Sequence, residues 1–219
     1  MTISPPAQPV SVADLVHAVQ RADSALGLLQ ATQALAAAAH PEGAACLVEV
    51  LGFNNPGAAV AAVDGLIAIG TPAVDTILAN IDGTNYGARA WAVRALAGIG
   101  DVRGLEVLED ALGNDIGPSV RRAAACGLGQ LRLETVPAEE RQPLALRCLR
   151  ALVEGCRDGE WVVRYAVAVG LEALAPALAE EAAPLQQLCQ ALRGLSDDPA
   201  EEAPVVQLRA RLALRRLEP

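Results

Sequence analysis

Asn85-Tyr86-Gly87-Ala88-Arg89-Ala90-Trp91-Ala92-Val93-Arg94-Ala95-Leu96-Ala97-Gly98-Ile99-Gly100 reads as one amphipathic helix of a repeating helix pair. Its leucine sets the period of the chain. Aligning on Leu96, with Ile99 three residues on, finds equivalents at Leu35, Leu66, Leu128, Leu171 and, weakly, Leu214, at intervals of 30 to 32 and then 43 residues. Such intervals suit two-helix solenoid repeats with insertions. Two further columns support the register. Arg89, Arg121 and Arg164 stand seven residues before the leucine, and Asp82, Asp115 and Asp158 stand 13 or 14 before it.

The expected fold is therefore all-α, an alpha-alpha superhelix or HEAT-like solenoid of about six helix pairs. Residues 1–10 are read as a flexible segment and 11–219 as a single repeat domain with an atypical cap from about residue 175, since a terminal repeat turns one face to water. The 43-residue step places an insertion at Arg132 to Pro143. Ser11-Val12-Ala13-Asp14 is a capping box opening the first helix.

The chain has 219 residues, 53% of them hydrophobic and only 2% aromatic, so its core is alanine and leucine. Net charge is −9, which argues against nucleic acid. No uninterrupted apolar run approaches the roughly 20 residues of a membrane span, and Met1 to Val10 has no basic segment followed by an apolar one, so a cytoplasmic location is expected. All 17 basic residues are arginine, which excludes a Schiff-base or phosphate-loop lysine. The five cysteines, Cys46, Cys126, Cys148, Cys156 and Cys189, form no C-x-x-C and read as small buried hydrophobes. His17 and His40 are far apart in the repeat register, so neither a metal site nor a catalytic triad is expected.

An arginine at the start of each inner helix opposes the helix dipole and needs an anion. The acid of the preceding loop is expected to supply it, giving a structural ladder of Asp82, Asp115 and Asp158 with Arg89, Arg121 and Arg164. Positions two, five and six before the leucine point away from the core toward the surface where solenoids bind ligands. They hold Asp64, Trp91, Arg94, Arg122 and Tyr165, with Tyr86 at the adjoining turn; Trp91 stands out where its column otherwise holds Ala61, Ala123 and Ala166. The paired acids Glu139-Glu140, Glu180-Glu181 and Glu201-Glu202 read as solvated charge. No catalytic constellation is recognisable, and the residues alone describe a binding module.

Gly52-Phe53-Asn54-Asn55-Pro56-Gly57-Ala58-Ala59-Val60-Ala61-Ala62-Val63-Asp64-Gly65-Leu66, Asn85 to Asp101 and Ser119-Val120-Arg121-Arg122-Ala123-Ala124 resemble the F-type subunit of the heterodimeric E/F phycobilin lyases of cyanobacteria. The Asn-Pro-Gly and Asn-Tyr-Gly turns carry that resemblance, which covers roughly Ser11 to Leu174. It implies a lyase subunit active with an E-type partner, joining a linear tetrapyrrole, most often phycocyanobilin, through a thioether to a cysteine of the phycocyanin α subunit. The bilin is a transferred substrate rather than a resident cofactor. Members that also isomerise the bilin carry His-Cys where this chain has Tyr86-Gly87, so the resemblance implies no isomerisation. It also admits phycoerythrobilin as substrate, or a non-catalytic chaperone or adaptor for phycobiliproteins, and places the chain near cyanobacterial phycobilisomes. In that frame Arg94 and Arg122 pair the bilin propionates, Asp64 accepts from pyrrole N–H groups, and Trp91 with Tyr86 or Tyr165 stacks on the rings.

Overall fold

The computed structural model describes residues 10–81 and 85–217. Met1 to Pro9 of the expected flexible segment, and Asp82 with the rest of its turn, lie outside the described residues. Among them are twelve α-helices: α1 (Val12–Gln20), α2 (Ala25–Ala38), α3 (Ala44–Val50), α4 (Pro56–Ile69), α5 (Val74–Ala79), α6 (Tyr86–Ile99), α7 (Leu105–Asn114), α8 (Pro118–Gly129), α9 (Ala138–Gly155), α10 (Trp161–Leu174), α11 (Ala182–Asp197) and α12 (Pro204–Leu217). They fall into two compact units, Met1–Ala92 and Val93–Pro219, with the boundary inside α6.

In the first unit α2 packs on α1 and α4, and α3 on α4 and α5. The asparagines of the two unusual turns are helix caps. Asn55 Oδ1 accepts from the Ala58 N–H at 3.1 Å and Asn85 Oδ1 from the Ala88 N–H at 3.1 Å, satisfying donors that a helix start otherwise leaves open. Asn55 Nδ2 also donates to the Ala25 carbonyl at 2.9 Å, tying the start of α4 to that of α2. Pro56 occupies the first helical position, where a missing N–H costs nothing.

In the second unit α8, α10 and α12 stack in one layer, and α7, α9 and α11 pack outside them. Leu96, Leu128 and Leu171 are fully buried, as are Leu35 and Leu66 in the first unit; Leu214, the weak member of the column, is half-buried. The residue before each leucine is small so that successive inner helices can touch. A Cβ on Gly65 would stand 2.7 Å from Ala36 Cβ, and one on Gly127 would stand 2.6 Å from Ala97 Cβ.

The insertion is less of a loop than its proline suggests. Leu133–Thr135 is one 3-10 turn, and α9 already begins at Ala138, running through Pro143. Pro143 lies in the second turn on an exposed face, so its ring forfeits a single intrahelical bond that water can replace. One long apolar stretch is interrupted by Arg164 and Glu172. Trp161–Leu178 reaches a mean hydropathy of 1.4 over 18 residues, enough to span a membrane by length and composition alone, but half of it is buried inside the structure. Its apolarity is spent on contacts of α10 with α8, α9 and α12.

Candidate functional site

The arginine column forms a ladder running in the other direction from the one expected. Arg121 grips Asp158 with two bonds, Nε to Oδ2 at 2.6 Å and Nη2 to Oδ1 at 2.9 Å, while Nη1 donates to the carbonyls of Asp115 and Ile116 at 2.9 and 3.2 Å. The preceding turn thus gives carbonyl oxygens and the following one gives the carboxylate. Arg164 repeats the arrangement with the Asp158 carbonyl at 2.6 Å and with both oxygens of Glu201 at 2.7 Å. Glu201, expected to be solvated, keeps only 2% of its side chain exposed. Glu201 stands 13 residues before Leu214, in the acid column, and that spacing was the signal that would have found it. Asp115 is buried and its Oδ1 accepts from the Gly117 N–H, while Arg89 is half-buried.

Electrostatics follow the contacts. Burial works to raise the Asp158 carboxyl, but the bonds from Arg121 and Glu160 N–H outweigh it and hold it below the ordinary aspartate value. The bonds from Arg164 likewise hold Glu201 low. Arg121 and Arg164 are raised in turn by these same carboxylates. These groups are structural: every charge is used inside the protein.

The outward positions divide between the units. In the first, Asp64 on α4 is exposed and lines a shallow cavity of about 250 Å³ with Gln33, Ala36, Gly57, Val60 and Ala61. Tyr86 is exposed at the first position of α6, and Trp91 is half-buried on the same helix. In the second, Arg94 and Arg122 are exposed and Tyr165 is half-buried on α10. The fifth position before the leucine does not face solvent as expected. Ala61 and Ala166 there are 8% and 2% exposed, so Trp91 sits at the core margin, and its half-buried ring has a packing role. Positions two and six are the outward ones.

Position two of α8 holds Cys126, a residue that sequence reasoning set aside as core. Its thiol is half-buried; burial raises its pKa, while the nearby Arg122 and Arg209 guanidinium groups pull it down. Its placement in the column of Asp64 and Arg94 was the signal that would have found it. Arg209 also pairs with Glu172 on α10, which takes a second ion pair, at 3.0 Å, from Arg216 on α12. Cys46, Cys148 and Cys189 are buried as expected, but Cys156 is half-buried; the thiols of Cys148 and Cys156 are pushed up to about 12 by burial. Among the described residues no group of three His, Cys, Asp or Glu side chains could hold a metal ion.

These surfaces can bind an anionic, flat molecule or a protein. Residues 74–144 match the HEAT repeat family. The phycocyanin alpha phycocyanobilin lyase CpcF of Synechocystis sp. is 52% identical over 176 residues, 80% of this chain and 82% of its own length. A phycobilisome maturation protein of Synechococcus elongatus is 48% identical over 206 residues, 93% of this chain and 97% of its own. Among solved structures, the complex of CpcE and CpcF of phycocyanin lyase from Nostoc sp. has a chain that superimposes with a TM-score of 0.69 at 40% identity, covering 78% of this chain and 98% of that one.

Proposed function

The chain belongs to the family of F-type phycobilin lyase subunits, and from that membership we propose that it works with an E-type subunit to attach a linear tetrapyrrole, phycocyanobilin, to a cysteine of the phycocyanin α subunit without isomerising it. The observation that carries this reading is 52% identity to a phycocyanobilin lyase over four-fifths of the chain, together with the match to a chain of the CpcE and CpcF lyase complex.

This chemistry does not require the lyase itself to pair a nucleophile with a base. The acceptor brings the thiol, its sulfur bonds to carbon of the tetrapyrrole, and the tetrapyrrole takes up the thiol proton, so nothing leaves and nothing is oxidised. The lyase then supplies orientation, a large part of the barrier when two reactants must meet in one geometry. Taken unit by unit, in the second Arg94 and Arg122 offer guanidinium groups for propionates through charge-assisted bonds and Tyr165 offers a ring face; in the first Asp64 offers an acceptor for pyrrole N–H groups and Tyr86 a ring face. Tyr86-Gly87 in place of His-Cys supports transfer without isomerisation.

The test is co-expression of this chain, an E-type subunit, the apo-phycocyanin α subunit and a bilin-producing pathway, read by zinc fluorescence of the α subunit on a denaturing gel. Fluorescence that needs both chains supports the reading, and the absorption maximum names the bilin. A dark acceptor that still binds this chain identifies a scaffold instead.

A further inference from the structure

Five residues before the column leucine, where the inner helices carry Ala61, Ala123 and Ala166 and α6 carries Trp91, α12 carries Arg209. The position lies at the core margin, and the Arg209 side chain is only 11% exposed. Its Nη2 is paired with Glu172 on α10, but Nη1 is buried and has no hydrogen-bond partner among the described residues. A buried guanidinium N–H without an acceptor is unfavourable, because its bonds to water are lost and nothing replaces them. Such a donor calls for an acceptor from outside the chain.

The surrounding charges say which kind. Glu172 is 17% exposed and also takes Arg216, Nη1 to Oε1 at 3.0 Å, so one carboxylate serves two guanidinium groups and a positive charge is left over. Exposed Arg122 on α8 brings another. Arg122 and Arg209 both act on the half-buried Cys126 thiol, so cations from α8 and α12 converge on one spot. In a chain of net charge −9 this is a local excess of positive charge, suited to an anion.

We propose that Arg209, oriented by Glu172, binds a propionate carboxylate of the tetrapyrrole through its Nη1 N–H, in a site shared with Arg122 and Arg216. The inference rests on the lyase reading above and adds a contact on α12, beyond the stretch whose motifs resemble the lyase family. A carboxylate is planar and accepts at two oxygens, which matches the fork of a guanidinium group. A turn of the guanidinium about its contact with Glu172 brings Nη1 to the carboxylate and exchanges an unmade bond for a charge-assisted one. Glu172 is a positioning residue: it holds the Arg209 side chain in place, so little side-chain freedom is lost on binding. A contact held in this way fixes the orientation of the tetrapyrrole as well as adding affinity.

The experiment titrates the full chain, in complex with CpcE of Nostoc sp., with phycocyanobilin and with its dimethyl ester, and follows the absorption of the bilin. The ester keeps the ring system and removes both carboxylates. Arg209→Gln should raise Kd for the diacid about tenfold and leave Kd for the ester unchanged, as expected for loss of one charge-assisted bond. Glu172→Gln should weaken the diacid less, since it frees the arginines without removing them. Cys126→Asp sets a carboxylate beside the two guanidinium groups, so it should raise Tm while weakening the diacid about tenfold. Loss of packing does not produce that pair of effects. An unchanged diacid Kd in Arg209→Gln overturns the inference, as does an equal loss for diacid and ester, which makes Arg209 a purely structural residue. Equal wild-type affinity for the two forms overturns it as well. If Arg209→Gln does not fold, wild-type diacid affinity in Cys126→Asp overturns it. An Arg209→Gln chain that keeps the diacid but loses the apo-α subunit assigns the carboxylate to the acceptor protein and overturns it too. If the wild-type complex binds neither form, the lyase reading fails first, and this one with it.

Discussion

Gly129 and Gly170 meet backbone to backbone: a Cβ on Gly129 would lie 2.3 Å from the Gly170 carbonyl oxygen, and one on Gly170 would lie 2.4 Å from that of Ala125. No side chain separates α8 from α10 at this crossing, so the two inner helices stack more closely than leucine-bearing surfaces allow. The obstacle is backbone, which cannot rotate aside.

Gly170→Ala should therefore destabilise the protein despite alanine's better helix propensity, by about 1–3 kcal/mol of overpacking, lowering Tm by about 2–4 °C for each kcal/mol. Gly194 in α11 has open space where a Cβ would go. Gly194→Ala should raise stability by about 0.5–1 kcal/mol. Thermal unfolding followed by circular dichroism reads both; equal effects would remove the close-contact argument.

Asp158 and Glu201 have carboxyls held below their ordinary values by the guanidinium ladder. A depressed folded-state pKa means that the unfolded chain binds the proton first, so the stabilisation is complete above the unfolded values near 4 and is lost as pH falls through the folded ones. Urea midpoints should drop steeply below about pH 4 in the wild type. In the Asp158→Asn/Glu201→Gln variant the midpoint should be lower at pH 7 and the slope below pH 4 shallower. Parallel curves would deny the ladder its role.

Asn55 performs two tasks with one side chain, capping α4 and holding Ala25. Asn55→Asp should keep the cap and lose the second bond; Asn55→Ala should lose both and cost about 1 kcal/mol more for the cap. Chemical denaturation should order them wild type, Asp, Ala, and a reversal would contradict the cap assignment.

Cys148 and Cys156, with thiols pushed up to about 12 from 9.0, should resist alkylation in the native protein at neutral pH. The thiolate fraction falls about a thousandfold with three units of pKa, and the thiolate is the species that reacts. Peptide mapping after iodoacetamide should find both unmodified until denaturant is added; rapid native labelling would show that the burial is not maintained.

Arg122 is exposed on the outward face and carries a proposed propionate contact. Arg122→Ala should raise KM for the bilin about tenfold, the equivalent of 1.4 kcal/mol, with circular dichroism unchanged. Arg122→Lys should recover part of the loss, since a point charge replaces a bidentate fork. An unchanged KM would remove Arg122 from the bilin contacts.

Periodicity made the helix pairs legible because a buried leucine in every inner helix leaves a period that no insertion erases; Leu35 to Leu171 are all core. The arginine column was equally visible, but its direction was not. Arg121 lies six residues from Asp115 and 37 from Asp158, and only the stacking of repeats shows that the distant carboxylate is the one it grips. Glu201 was missed for a related reason, since a longer acid in a proline-rich turn does the work of an aspartate. The insertion expected at Arg132 to Pro143 overlaps α9, which begins at Ala138, because Pro143 sits in an exposed second turn that can spare one bond. On the outward face, columns predicted which residues share a register, while the half-burial of Trp91 depends on neighbours that a column does not name.

The most direct measurement is the intact mass of purified apo-phycocyanin α subunit after incubation with phycocyanobilin, CpcE and this chain. The account predicts a gain equal to the whole mass of the bilin, because the thiol adds without loss, and predicts it only when both subunits are present. No gain, or the same gain with this chain left out, would contradict its role as a lyase subunit.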